Sequence, residues 1–208
     1  MTVAGALLVL GGYVIGTFPS AILVARANGV DIESFGSGNP GASNVTRALG
    51  WRKGVWVYAL DAAKGAIAAG VGLAVGGAPL AYWCGGAAIV GHMFPVLRGL
   101  RGGKGVATGS GVLLVVQPIL APLAVGTWWL LTRVTGKAAI GSVVAVALVP
   151  VGLLMQNDPA WEFIAVAALC ALIVVRHAGN IVRIVRREER AMSATVRHSA
   201  ADPSRGGS

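Results

Sequence analysis

The hydrophobic positions divide the chain into six long apolar runs separated by short polar segments. The runs lie at about residues 3–25, 55–76, 79–97, 106–132, 138–155 and 160–175. Most of them are long enough to cross a lipid bilayer as an α-helix. The pattern predicts an all-α polytopic membrane protein. Because no basic residue precedes Arg26, the first run is predicted to be a retained span and not a signal peptide.

The run at 106–132 allows two interpretations. It is long enough for one tilted helix, but Gln117, Pro118 and Pro122 lie near its centre, and proline interrupts helices. The basic segments at 26–53, 98–104, 133–137 and 176–190 can all be cytoplasmic only if this run crosses twice, turning near Gln117 and Pro118. We therefore favour about seven transmembrane helical elements, with the N-terminus outside and the C-terminus in the cytoplasm.

Composition supports a membrane protein. Only 12% of the residues are charged, whereas about 25% is usual in soluble domains. The net charge of +9 would suggest a nucleic-acid partner for a soluble protein. Here the basic residues sit between apolar runs, so we assign them to topology and to attraction of anionic lipid or substrate, and we predict no nucleic-acid partner.

One integral membrane domain is predicted over residues 1–190, followed by a disordered cytoplasmic tail at 191–208. The two cysteines, Cys84 and Cys170, lie far apart within apolar runs. We interpret them as packing residues and expect neither a disulfide nor a metal site. No carboxylate cluster or His/Cys ligand set indicates a metal or another cofactor.

The first polar loop, residues 35–47, reads FGSGNPGASNVTR. Its three glycines permit positive φ angles, so successive N–H groups can face one anion. Ser43 is the predicted N-cap of a short helix that stops at Gly50, and Arg47 on that helix is suited to phosphate oxygens. The alternative is an ordinary glycine-rich connector.

The second loop contains GHMFP at 91–95 and RGLRGGKGVAT at 98–108. A Gly-Gly-Lys-Gly turn before a helix combines backbone donors, a helix N-terminus and an ammonium group, which suits an anion. It is not a Walker A loop, because Gly105 stands where serine or threonine would hold magnesium. The alternative is a basic loop that only sets topology.

The third segment, RHAGNIVRIVRREE at 176–189, follows the last apolar run and predicts an amphipathic interfacial helix. His177 and Asn180 are three apart and share a face. The alternative is a solvated stop-transfer segment, which would explain the arginines. Such a segment would require neither His177 nor Asn180. Asp61 and Lys64 lie inside an apolar run, where their spacing allows a mutual pair.

Together these segments resemble the PlsY family, the bacterial acyl-phosphate-dependent glycerol-3-phosphate acyltransferases. The matching stretches are GSGNPGASNVTR (36–47), DAAKG (61–65), GHMFPVLRGLRGGKGVAT (91–108) and HAGNIVRIVRREE (177–189). Three polar motifs in one order on a scaffold with many spans make the resemblance specific, and it covers the chain up to about residue 190.

The resemblance, together with the polar groups of the loops and the Asp61–Lys64 spacing, indicates roles for individual residues. The catalytic set would be Ser37, Arg47, Lys104, His177 and Asn180. Glycerol 3-phosphate would bind at the glycine-rich motif. The expected substrate-binding residues are Asn39, Asn44, His92, Gly102, Gly103, Gly105, Thr108 and Ser142. Glu189, Asp61 and Lys64 are expected to be structural.

Several positions depart from the family pattern. Ser43 replaces a frequent threonine, Ala178 a usual arginine and Arg187 a usual glycine. The 135–142 stretch lacks the usual paired serines, and Ser142 supplies one hydroxyl in a shifted register. The reaction class is unaffected, whereas substrate affinity and the role of the third motif depend on these changes.

The reaction implied is transfer of a fatty acyl group from acyl phosphate to the 1-hydroxyl of glycerol 3-phosphate, the first acylation of phospholipid synthesis. Either His177 or a substrate phosphate takes the hydroxyl proton. The expected setting is the bacterial plasma membrane, with a cytoplasmic active site, membrane lipid around it and partner enzymes that supply acyl phosphate. The alternatives are a small permease built on Asp61 and Lys64, or a paralogue with another acyl donor or acceptor.

Overall fold

A computed structural model describes residues 2–156 and 159–192, and within these ranges the regular structure is helical. The predicted tail, apart from residues 191 and 192, lies outside them. The elements are α1 (Val3–Gly16), α2 (Ser20–Arg26), α3 (Ala42–Leu49), α4 (Trp51–Met93), a 3₁₀ turn (Val96–Arg98), α5 (Val106–Val116), α6 (Leu120–Thr135), α7 (Ala138–Gln156), α8 (Ala160–Arg176) and α9 (Ala178–Val185).

Three helical stretches among the described residues are long and apolar enough to cross a membrane: Val3–Arg26, Trp51–Arg98 and Ala138–Gln156. The pair α8 and α9, bent by 57°, would make a fourth if it is one span. Large apolar side chains face outward, as lipid contact requires. On α1 this outer face is Val3, Leu7, Leu10 and Val14, whereas the glycines at 5, 12 and 16 are buried.

Helix α4 is two antiparallel arms joined by a sharp turn. Gly76 and Gly77 have non-helical dihedral angles, and Gly77 has φ +69°, which favours glycine. The chain reverses there, because a methyl group placed on Gly85 would lie 3.3 Å from Cβ of Ala69. We call residues 51–75 the first arm and 78–93 the second arm. The predicted link between the second and third apolar runs is confirmed.

Helices α5 and α6 confirm that the run at 106–132 is broken. Gln117 ends α5 with non-helical dihedral angles, and α6 begins at Leu120. The Tyr58 hydroxyl lies 2.7 Å from Oγ of Ser110, and the Tyr58 ring stacks on Trp128 with centroids 6.3 Å apart. Ser110 of α5 and Trp128 of α6 therefore lie at the same height along the two helices, so α6 runs antiparallel to α5.

The first polar loop folds over the start of α4. Val45 of α3 and Val57 of the first arm share an apolar cluster with Ala25 and Ile32. Gly50, with φ +84°, ends α3 as predicted. The predicted N-cap is wrong: α3 begins at Ala42 after the extended Gly41, so Ser43 is its second residue. With Ser43 as the N-cap, the helix would begin at Asn44. The extended Gly41 takes the N-cap position instead, so the helix begins two residues earlier.

Candidate active site

Asn44 organises the first polar loop. Its buried side-chain amide donates to the carbonyl oxygens of Ile32 (3.1 Å) and Phe35 (2.9 Å). Its Oδ1 accepts from the backbone N–H of Ser37 at 3.3 Å and from Nη2 of Arg47 at 3.2 Å. The side chain predicted to bind substrate thus holds the loop that carries Ser37 and Arg47.

Arg47 projects from α3 toward the hydroxyl of Ser37, with Nη2 3.5 Å from Oγ. That hydroxyl also accepts from the N–H of Asn39 at 3.4 Å. Nε of Arg47 is buried and has no hydrogen-bond partner among the described residues. Burial lowers the pKa of Arg47, and Arg190 lowers it further. A buried guanidinium with an open donor is suited to an anionic ligand.

The glycine turn at 102–105 lies against the end of the second arm. The N–H of Gly103 donates to the carbonyl of His92 at 3.1 Å. A side chain cannot fit there, since Cβ on Gly103 would be 2.1 Å from Nε2 of His92. Gly105, with φ +87°, then caps the N-terminus of α5, as the sequence predicted. The N–H of Gly103 is therefore already engaged.

Lys104 joins this turn to the third motif. Its Nζ donates to Oδ1 of Asn180, and Nδ2 of Asn180 donates to Oε1 of Glu189 at 2.8 Å. Oε2 of Glu189 pairs with Nε of Arg183 at 2.9 Å. Burial lowers the pKa of Lys104 to about 8; Glu189 raises it, and the arginines at 183, 47 and 176 lower it. Glu189 thus holds Asn180 and Arg183 together, and its structural role stays a prediction.

His177 lies at the bend between α8 and α9, not within a helix, and it is buried. Its Nδ1 is 2.8 Å from the carbonyl oxygen of Ile173. A carbonyl only accepts, so Nδ1 carries the proton, and in the neutral ring Nε2 is left as the acceptor. The backbone N–H of Asn180 donates to the His177 carbonyl at 2.8 Å, which keeps the two residues together.

Asp61 and Lys64 form the predicted pair, with Nζ 2.9 Å from Oδ1. Lys64 also donates to the carbonyl of Phe18 at 3.1 Å, and its Nζ is 2.8 Å from Nδ1 of His92. His92, predicted to contact substrate, therefore belongs to this buried group, behind the glycine turn.

Thr108 and Ser142 are buried on helices. Thr108 packs against Gly65, and its hydroxyl has no hydrogen-bond partner in the described part of the chain. Ser142 lies near the start of α7. Within residues 2–156 and 159–192, no side-chain hydrogen bond joins either one to Lys104 or Asn180.

Arg176 is a site residue that the sequence analysis missed. Its Nη2 donates to the carbonyls of Gly102 (3.0 Å) and Gly103 (3.1 Å), and its guanidinium carbon lies 5.1 Å from the centre of the Phe94 ring. The sequence explained this arginine as part of a basic topology signal. Its position directly before His177 was the available clue.

An apolar cavity of about 80 Å³ lies between the helices beside these polar groups. Ile173 lines it, and the same residue's carbonyl holds His177. Tyr82 and Val116 also line it. A cluster of charged groups and an apolar cavity thus adjoin at the bend between α8 and α9.

Comparisons with known proteins agree on one family. A family profile described as glycerol-3-phosphate acyltransferase matches residues 6–187. A glycerol-3-phosphate acyltransferase 1 of Deinococcus radiodurans is 39% identical over 201 residues, covering 94% of this chain and 100% of the relative. One from Myxococcus xanthus is 43% identical over 189 residues, covering 88% and 97%.

Solved structures give the same result. The crystal structure of PlsY (YgiH), an integral membrane glycerol 3-phosphate acyltransferase, in its glycerol 3-phosphate form, matches with TM-score 0.86 at 34% identity. The alignment covers 90% of this chain and 95% of that one. Its lysophosphatidic acid form matches with TM-score 0.83, at the same identity and coverage.

Proposed function

This chain belongs to the glycerol-3-phosphate acyltransferase family, and we propose that it transfers a fatty acyl group from acyl phosphate to the 1-hydroxyl of sn-glycerol 3-phosphate. The products are 1-acylglycerol 3-phosphate and phosphate. The related PlsY structures are described as glycerol 3-phosphate and lysophosphatidic acid forms, which fit an acceptor and a product of this reaction.

One observation carries the proposal: three polar segments far apart in sequence meet around Lys104. Lys104 contacts Asn180 of the third motif, and its charge interacts with that of Arg47 in the first. Two phosphate-bearing reactants need such a concentration of donors, because aligning them and stabilising their charge supplies most of the catalysis. The adjoining cavity is lined by apolar side chains, which supports placing the acyl chain on this side of the donors.

In the proposed reaction, the 1-hydroxyl oxygen of glycerol 3-phosphate bonds to the carbonyl carbon of the acyl phosphate. Nε2 of His177 accepts the hydroxyl proton, which the Nδ1 contact with Ile173 supports by fixing the tautomer. The bond between the carbonyl carbon and the bridging phosphate oxygen then breaks, and phosphate leaves with its electron pair and takes up the proton. Phosphate is a good leaving group, so no protein nucleophile is needed.

Arg47 and Lys104 would hold the two phosphates, with Ser37, Asn39 and Asn180 as neutral hydrogen-bonding groups. Gly102, Gly105, Thr108 and Ser142 remain predicted substrate contacts. His92 and Asn44 would act indirectly, since their side chains contact the protein itself.

We also propose about seven membrane-spanning elements, with the N-terminus outside and the site facing the cytoplasm of a bacterial cell. The basic segments support this orientation. The break between α5 and α6 supports a double crossing there. An enzyme that makes acyl phosphate from another activated acyl donor must supply the substrate.

To test this, purified protein is incubated with palmitoyl phosphate and labelled glycerol 3-phosphate, and the lysophosphatidate formed is measured. We expect product with palmitoyl phosphate and none with palmitoyl-CoA. Arg47→Ala and Lys104→Ala should abolish turnover while remaining folded, whereas the exposed controls Arg133→Ala and Lys53→Ala should retain it. Near-normal transfer by both site variants would rule out the phosphate-binding role, and an inactive wild-type protein would rule out the reaction.

A further inference from the structure

We propose that Arg176 is a positioning residue that fixes the Gly102–Gly103 turn in the shape that binds the phosphate of glycerol 3-phosphate. The inference rests on the proposed function. The resemblance to the family gave Arg176 no role. In this proposal Arg176 acts through the turn and does not touch the reacting atoms.

Two sides of the same peptide unit are held by different helices. From α8, Nη2 of Arg176 donates to the carbonyls of Gly102 (3.0 Å) and Gly103 (3.1 Å). From the second arm of α4, the carbonyl of His92 accepts the N–H of Gly103 at 3.1 Å. The Gly103 residue is therefore fixed through both its donor and its acceptor.

The turn needs such support because glycine loses more conformational freedom on ordering than any other residue. Left free, Gly102 and Gly103 would sample conformations in which carbonyl oxygens face the ligand and repel a phosphate. With both carbonyls bound to a guanidinium, the turn is ordered before the ligand arrives, and binding does not have to order it.

Arg176 is itself held in place. Its guanidinium lies over the ring of Phe94, at the end of α4. The carbonyl of Phe94 accepts a 2.8 Å hydrogen bond from the Tyr13 hydroxyl of α1. The chain of contacts runs from α1 through the end of α4 to α8, so the turn is fixed relative to His177, the next residue after Arg176.

Arginine is required at this position by geometry and not by charge alone. One nitrogen of the planar group reaches both carbonyls while the ring of Phe94 supports its face. Lysine keeps the charge but has a shorter, freely rotating ammonium that cannot reproduce this arrangement. A lysine substitution therefore separates the positioning effect from the electrostatic one.

The experiment compares wild type, Arg176→Lys and the exposed control Arg133→Lys for KM of glycerol 3-phosphate, KM of palmitoyl phosphate and kcat. For Arg176→Lys we expect KM of glycerol 3-phosphate to rise about tenfold, the effect of losing one charge-assisted hydrogen bond. KM of palmitoyl phosphate and kcat should stay within about threefold of wild type. A change of that size is smaller than the loss of one charge-assisted hydrogen bond would cause. The control should match wild type in all three.

An unchanged KM for glycerol 3-phosphate in Arg176→Lys would overturn the proposal. So would a fall in kcat and melting temperature without a selective rise in that KM, because it would indicate a purely structural arginine. Calorimetric binding of glycerol 3-phosphate, without donor, gives a second measurement that does not depend on acyl transfer. If wild type binds glycerol 3-phosphate but transfers no acyl group, the reaction is wrong, and the affinities still decide the role of Arg176.

Phe94 provides a milder variant if Arg176→Lys does not fold. Phe94→Leu removes the ring that supports the guanidinium and should raise KM of glycerol 3-phosphate about two- to fivefold. Phe94→Tyr keeps a ring and should restore the wild-type value. Equal KM values for the leucine and tyrosine variants would count against the positioning role.

Discussion

At the residue scale, burial changes the acid–base behaviour of Lys104, the proposed ligand of a substrate phosphate. Burial and the nearby arginines lower its pKa to about 8, although Glu189 opposes them. In the free protein most Lys104 side chains are therefore still protonated at pH 7, and the ammonium is lost as pH rises through about 8. A phosphate that contacts Nζ supplies the missing negative charge, so binding and protonation support each other.

The affinity for glycerol 3-phosphate should therefore fall as pH rises through about 8. Above pH 7 a phosphate monoester is already largely dianionic, since its second pKa is about 6, so the change reports on the protein. Because only protonated Lys104 attracts the phosphate, KM should rise about tenfold between pH 7 and pH 9. Steady-state kinetics at fixed palmitoyl phosphate measure this rise.

Lys104→Arg is the matched control, because arginine stays charged throughout this range. Its KM is expected to be higher than that of wild type but nearly independent of pH. A wild-type KM that stays constant up to pH 9 would show that the charge of Lys104 does not govern binding.

Some of these residue contacts were predictable and others were not. The Asp61–Lys64 pair follows from helical spacing, because residues three apart lie on one face. The contact of Lys104 with Asn180 joins positions far apart in sequence, so only the family resemblance placed both in one site. Arg176 was missed because a basic residue after an apolar run also sets topology, and its two carbonyl partners depend on how α8 packs.

At the element scale, glycines let α4 and α5 approach closely. A methyl group on Gly111 would lie 1.8 Å from the carbonyl oxygen of Ala62, and one on Gly65 would lie 2.2 Å from that of Thr108. Membrane helices associate through such contacts, since lipid gives them no hydrophobic drive to pack. The position of α5, and with it the glycine turn that precedes it, depends on this interface.

Gly111→Ala should therefore separate α4 from α5 and destabilise the protein by about 2 kcal/mol or more. Gly126→Ala in α6 is the matched control, because nothing lies within 4 Å of its added methyl group. That change should stabilise the protein slightly, by up to about 1 kcal/mol, through helix propensity. Thermal unfolding in detergent measures both, and a Gly111→Ala melting temperature equal to that of wild type would contradict the close interface.

Sequence patterns located the large breaks between elements better than the small ones. Gly76 and Gly77, and Gln117 before Pro118, combine residues that interrupt helices, so these two breaks were visible. The bend at His177 has no glycine or proline at that position, and the sequence placed His177 inside the amphipathic helix at 176–189 that follows the last apolar run. There the chain turns by 57° between α8 and α9.

At the scale of the whole molecule, the fold gathers positive charge at one end of an apolar bundle. Arg47, Lys104 and Arg183 interact electrostatically across three separate segments. Such a concentration of like charges is unfavourable unless carboxylates or ligands offset it, and Glu189 offsets only part of it. The remaining positive charge favours anionic reactants at this end, beside the apolar cavity.

The membrane orientation of this charged end can be tested with single cysteines in a protein whose Cys84 and Cys170 are replaced by alanine. Cysteines at Asn28, Arg101 and Arg133, all exposed, should react with a membrane-impermeant maleimide only after the bacterial cells are permeabilised. Cysteines at Pro79, at the start of the second arm, and at Met155, near the end of α7, are both exposed and should react in intact cells.

The Arg133 position decides how often α5 and α6 together cross the membrane, because it follows both helices. If they cross twice, a cysteine at 133 is protected in intact cells together with those at 28 and 101. If they cross once, it is labelled from outside while those two stay protected. Labelling at 28 or 101 in intact cells would put the polar segments on the outer face, away from any cytoplasmic supply of acyl phosphate and glycerol 3-phosphate, and would exclude the proposed reaction in the cell.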